Sequence, residues 1–133
     1  MPFLGKNTQK PLLHTPNTQQ QGRAAEERAG AYLQAQGLRI LQRNYRTPGR
    51  GGGEIDLICQ APDGTVVFVE VRSRKHAGFG GAGGSIGSTK KRRIVFAAQH
   101  WLLRHNPPPP CRFDVVLLQG VDIAWLPAAF DAW

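Results

Sequence analysis

The spacing of apolar positions divides the chain into two helices and five strands. In GRAAEERAGAYLQAQG, residues 22–37, Ala25, Ala29, Tyr32, Leu33 and Gln36 recur at helical intervals. They predict a first helix with that side buried and the closing glycine as its C-cap. The pattern then changes to short β-rich runs: LRILQRNYR (38–46), GEIDLICQ (53–60) and TVVFVEVRSR (65–74). A second helix is expected from Ser88 to His105, with Ile94, Ala97, Ala98, Trp101 and Leu102 on one face, and Pro107 to Pro110 stop it. CRFDVVLLQG and VDIAWL read as a closing hairpin, followed by a short turn after Pro127. Residues 1–20 mix Pro, Asn, Thr and Gln without period and read as a disordered tail. HAGFGGAGGSIGS, 76–88, reads as a flexible loop, and it is no P-loop because no Gly-Lys-Ser/Thr follows. The order is αβββαββ without internal repeat. The expectation is one α/β domain, 21–133, with a central mixed five-stranded sheet flanked by helices.

The second and third strands join through Ala61-Pro62-Asp63-Gly64-Thr65, suited to a type I turn with Gly in the left-handed position. That turn pairs Ala61 with Thr65, so opposed residue numbers sum to 126. Asp56 then falls opposite Glu70, and Glu54 opposite Arg72, with side chains ~5 Å apart. By alternation these four share one face, while Ile55, Leu57, Val69 and Val71 fill the other. Like charges directly opposed destabilise a sheet. Arg72 can neutralise one carboxylate, but the Asp56–Glu70 pair still calls for a cation. Mg²⁺ suits it, since that ion takes one or two carboxylates and keeps several waters. The plain alternative is an ion-pair network on an exposed sheet face. A register error of one residue would separate the two acids.

Charge adds a second indication. Seventeen Lys and Arg against nine Asp and Glu give a net charge of +8, suited to a polyanion such as nucleic acid. No acid occurs between Glu70 and Asp114, whereas Arg72, Arg74, Lys75, Lys90, Lys91, Arg92, Arg93, Arg104 and Arg112 all fall there. A blocked distribution favours a phosphate-binding surface over a merely solvated basic face. Cys59 and Cys111 lack metal-ligand spacing and read as two buried, reduced thiols of a cytoplasmic protein. No apolar run is long enough to span a bilayer, and the first residues do not resemble a signal peptide.

The helices offer further members of a site. Glu26 lies at the edge of the buried stripe of the first helix and is positioned to reach the sheet, while Glu27 aligns with solvent-facing Arg23, Ala31 and Gln34. Lys90 precedes Ile94 by four and Ala97 by seven, so the apolar face of the second helix runs back through it.

Asp56, a spacer, then Glu70-Val71-Arg72 resembles the Asp…Glu-x-Lys signature of the restriction-endonuclease-like nucleases. More closely, GEIDLI (53–58) followed by VFVEVRSR (67–74) is similar to the YraN family of bacterial proteins. The similarity extends through Gly22…Glu26, the Lys90 region, Ala98…Trp101-Leu102 and CRFDVV (111–116), about residues 22–130. It implies a restriction-endonuclease-like fold, close to that of Holliday-junction resolvases, and a metal-dependent nuclease site. By position, the resemblance implies catalytic roles for Glu26, Asp56, Glu70 and Arg72, with Asp56 and Glu70 as ligands of Mg²⁺ or Mn²⁺. Arg72 departs from the pattern: a guanidinium stays protonated and cannot act as a general base.

The leading expectation is a Mg²⁺-dependent endonuclease of DNA phosphodiesters, with branched or junction DNA as a candidate substrate. Arg74, Lys75, Lys90, Lys91, Arg92 and Arg93 would hold flanking phosphates. A homodimer would match the two-fold symmetry of a junction. The alternatives are a non-catalytic nucleic-acid-binding module that keeps the fold, and an interaction protein whose basic face meets an acidic partner.

Overall fold

The computed structural model describes residues 18–74 and 86–132. Helix α1 (Thr18–Ala35) is followed by β1 (Arg39–Arg46), β2 (Glu54–Gln60) and β3 (Val66–Arg74). Helix α2 (Ser88–Leu102) then leads to β4 (Cys111–Gln119) and β5 (Asp122–Phe130). The strands form one sheet in chain order, β1-β2-β3-β4-β5. All neighbours run antiparallel except β3 and β4, which are parallel and need the crossover that α2 supplies. This mixed α/β arrangement is compatible with a restriction-endonuclease-like fold.

The helices cover opposite faces of the sheet. Ala25, Ala29 and Leu33 of α1 pack on Leu57, Cys59, Val67, Val69, Val116 and Leu118. Ile94, Ala97, Ala98 and Trp101 of α2 pack on Ile58, Val66, Phe68 and Phe113. Strand β3, with a strand on each side and a helix on each face, is buried from Val66 to Glu70. That accounts for its unbroken apolar run VVFV. The same covering places Glu70, two residues beyond Phe68, at 6% exposure.

Local chemistry sets the helix ends. Gly37 (φ +100°) ends α1 in a Schellman motif: its N–H donates to the Gln34 carbonyl at 3.0 Å, and the Leu38 N–H to the Leu33 carbonyl at 3.0 Å. The helix starts earlier than its alanine-rich stretch suggested, at Thr18, so residues 18–20 belong to it and not to a tail. Residues 1–17 lie outside the described residues. Gln36, expected on the buried side, is exposed because the chain has already left the helix there. Helix α2 ends at Leu102, short of His105, and Leu102 is only half-buried. Cys59 is in the core, whereas Cys111, at the start of β4, is half-buried; both thiols are free.

Strand β5 runs past the expected Leu126 to Phe130 and includes Pro127, which an edge strand tolerates because it need not donate outward. Its register with β4 slips between Phe113 and Val115, and Ala128 takes φ +50°. Asp114 fills the gap. Its carboxylate, fully buried, accepts from Arg112 Nε at 3.0 Å, Trp125 Nε1 at 2.9 Å and the Ala128 N–H at 2.9 Å. A buried charge persists when it is paired and hydrogen-bonded in this way. Removing it strands three donors, so Asp114→Ala should destabilise the fold by about 3 kcal/mol in denaturant titrations. A loss below about 1 kcal/mol would contradict this anchoring role.

Candidate functional site

The hairpin between β2 and β3 has the register that its turn chemistry predicts. Leu57 faces Val69, Ile58 faces Phe68, Cys59 faces Val67 and Gln60 faces Val66, each pair summing to 126. Gly64 takes φ +94° at the turn, and the Ala61 N–H donates to the Thr65 carbonyl at 2.8 Å. The ladder ends at Leu57–Val69. Regular pairing would next use the Val71 N–H on the backbone of β2. Instead that N–H donates to Asp56 Oδ2 at 2.8 Å, so a carboxylate replaces a carbonyl where the strands open.

The opening changes the expected square of side chains. Ile55 was expected beside Leu57, Val69 and Val71, yet it packs in the α2-side cluster with Ile58 and Phe68. Two positions three apart on one face show that strict alternation fails across Asp56. Glu54 does not pair with Arg72 either; its partner is Arg46 at the end of β1, 3.6 Å away. Arg72 is half-buried on β3, beside Leu117 of β4. The cation at the acids comes from α2: Lys90 Nζ lies 3.2 Å from Glu70 Oε2.

Three carboxyls form a chain with Asp56 in the middle. The charge of Asp56 acts on Glu26 of α1 on one side and on Glu70 on the other, and it raises both. Burial, then the charge of Asp56, push Glu70 up to about 7, with Lys90 pulling the other way. Burial, then Asp56 and Glu54, push Glu26 up to about 7, with Asn44 pulling the other way. Asn44 was not foreseen as a member. It sits in β1 at φ +51°, a conformation that asparagine tolerates better than most residues. No sequence signal marks it, because it stands in the continuous polar run Gln42-Arg43-Asn44. Glu27 is exposed, as expected.

The basic residues separate more than their sequence clustering suggests. Lys90 and Arg93, three apart on α2, line a cleft together with Arg46. Lys91 and Arg92 line a different concavity with Phe96 and Asp131, and the Lys91 ammonium stands 5.6 Å from the Phe130 ring. Arg74 is half-buried at the end of β3. Lys75 and the glycine-rich loop up to residue 85 lie outside the described residues. Among the described residues, no group of three or more His, Cys, Asp and Glu side chains is placed to hold a metal ion.

The raised acids set a sign for stability against pH. Their folded-state values, about 7, exceed the ordinary 4.5, so the folded protein holds these protons more tightly. The resulting stabilisation is complete below about pH 4.5 and is lost as pH rises through about 7. Melting temperature should therefore fall between about pH 5 and pH 8, and Asp56→Asn, which removes the shared like charge, should flatten that slope. An unchanged slope in the variant would show that Asp56 is not what raises its neighbours.

Comparison with known proteins agrees with the resemblance of the hairpin motifs. The model of the uncharacterised protein family UPF0102, which is the YraN family, matches residues 25–118, from within α1 to the end of β4. A UPF0102 protein of Paracidovorax citrulli (strain AAC00-1) is 62% identical over 134 residues, covering 99% of each chain. One from Acidovorax sp. (strain JS42) is 61% identical with the same coverage. One from Albidiferax ferrireducens is 66% identical over 115 residues, 86% of this chain and 90% of the relative. With near-complete coverage by such similar proteins, and with the acids falling inside the matched segment, the chain belongs to the UPF0102, or YraN, family.

Proposed function

We propose that this protein is a Mg²⁺- or Mn²⁺-dependent endonuclease of DNA phosphodiesters, with branched or junction DNA as the substrate suggested by its kinship of motif. The carrying observation is the carboxyl chain Glu26–Asp56–Glu70, placed where β2 and β3 part and joined by Lys90. Acids that raise one another's hold on protons, one of them 6% exposed, make a costly arrangement. Such arrangements concentrate at working sites. A divalent cation would relieve the repulsion, and two carboxylates with open water positions suit Mg²⁺.

Asp56 and Glu70 would hold the ion. When bound, it would lower the pKa of a coordinated water and offset charge on the phosphoryl oxygens. The protein's own groups supply the rest. Glu26, pushed up to about 7, can take a proton from the attacking water near neutral pH. The Val71 N–H holds one oxygen of Asp56 in place. Lys90 brings an ammonium to Glu70 from the helix and not from the strand position that Arg72 occupies. Arg72, always charged, can stabilise negative charge developing on the phosphate but cannot exchange a proton.

A second reading, a non-catalytic nucleic-acid-binding module, is favoured by Arg72 standing where related nucleases carry lysine. Lys90 weakens that argument, since a lysine reaches the acids by another route. The two readings separate on supercoiled and branched DNA with millimolar Mg²⁺ or Mn²⁺. Cleavage is expected, reduced roughly 10²–10³-fold or more in Asp56→Asn and in Glu70→Gln. Mg²⁺ should also raise the melting temperature near pH 8 in the wild type and not in Asp56→Asn. Cleavage persisting in both variants would end the assignment; absent cleavage with DNA binding retained would select the module.

A further inference from the structure

The turn between β1 and β2, TPGRGGG (47–53), is clasped at its base. The Thr47 N–H donates to the Gly53 carbonyl at 3.1 Å, and the Gly53 N–H donates to Thr47 Oγ1 at 2.8 Å. Gly53 lies so close to α2 that a Cβ there would overlap the Arg93 carbonyl. The tip is open, with Gly49 and Gly51 at φ +86° and +70°, conformations that glycine adopts at little cost. Between this turn and α2 runs a cleft of about 310 Å³, lined by Arg46, Lys90 and Arg93 with Glu54 among its walls.

The electrostatics of the cleft favour an anion. Helix α2 starts beside it with Gly87 at the cap position and no acid in its first turn, leaving the positive end of the helix uncompensated. Arg46 is held over the cleft by Glu54 at 3.6 Å, with side chains 75% and 44% exposed. An exposed pair of that kind is weak, so a phosphate can recruit Arg46 easily. The cleft also adjoins the carboxyl chain. Lys90 lines it and pairs with Glu70, and Glu54 borders it and acts on Glu26.

A second cleft, about 390 Å³, is lined by Glu26 and Glu27 together with Arg23, Arg43 and Asn44. Arginines in two clefts near the acids match a linear polyanion better than a single phosphate. We infer that the cleft between the 47–53 turn and α2 is a backbone-phosphate subsite, in which Arg46 and Arg93 hold a nucleic-acid phosphate next to the one at the acids. The inference deepens the proposed function and rests on it for the identity of the polymer.

The test measures binding without cleavage: Asp56→Asn protein in EDTA, with a labelled short DNA duplex, over a range of salt. Arg46→Ala and Arg93→Ala should each weaken binding roughly five-fold and lower the salt slope by about one. Arg39→Ala removes the same charge at the far end of the β1–β2 hairpin, where Arg39 bonds Gln60, and should change affinity less than about two-fold. Equal losses in all three variants, or no loss in Arg46→Ala and Arg93→Ala, would overturn the subsite. Competition by a mononucleotide as strong, per phosphate, as by the duplex would also overturn it, by showing a small-anion pocket. Because nothing here depends on turnover, a protein that never cleaves DNA can still pass. One that cleaves but shows no local loss refutes the subsite alone.

Discussion

The structure turns on the repulsion between Asp56 and Glu70 at the place where strands β2 and β3 stop pairing. A sheet resists like charges at adjacent positions, and a strand covered on both faces resists any carboxylate. Here both costs fall on one strand end. Glu70 is buried because β3 is central, and Asp56 is beside it because the Pro62-Asp63-Gly64 turn fixes the register. The neighbours are compensations: the Val71 N–H on Asp56, Lys90 on Glu70, Asn44 on Glu26. They leave Glu26 and Glu70 near neutrality, neither firmly ionised nor firmly protonated around physiological pH. Groups of that kind can exchange protons or receive a cation with little rearrangement.

The two helices divide the work of building the site. Helix α1 covers one face and delivers Glu26; α2 covers the other and delivers Lys90. Neither helix supplies much of the site, yet each positions a single charged group against the opened strand end. The glycines at 52 and 53 allow the β1–β2 turn to press against its own base and against α2. That closeness brings Arg46 and Arg93 into the same cleft as Lys90. A basic surface is therefore contiguous with the acids. Among the described residues, no helix is long and apolar enough to cross a membrane.

Much of this was legible in the sequence because local rules decided it. Gly37 is where a Schellman cap needs it, the turn at Gly64 fixes the hairpin register, and apolar spacing marks the buried faces of both helices. Glu26, Asp56, Glu70 and Lys90, read from spacing and register, are brought together. What was not legible depends on departures from regularity. Alternation fails at Asp56, so Ile55 changes face and Glu54 turns to Arg46 instead of Arg72. Asn44 joins through a left-handed backbone that no propensity foretells. Asp114 reads as another strand acid until the bulge opposite it shows three donors aimed at its carboxylate. The basic run 90–93 looks like one patch in sequence, but 3.6 residues per turn sends Lys91 and Arg92 away from Lys90 and Arg93.

Asp56 and Glu70 are proposed to hold a divalent cation together. Crystals soaked in Mn²⁺ and measured for anomalous scattering would show it. A peak is expected within ligand distance of one oxygen of each carboxylate, absent from crystals of the Asp56→Asn protein. A well-ordered crystal that binds no Mn²⁺ there, or binds it only at unrelated carboxylates, would contradict it.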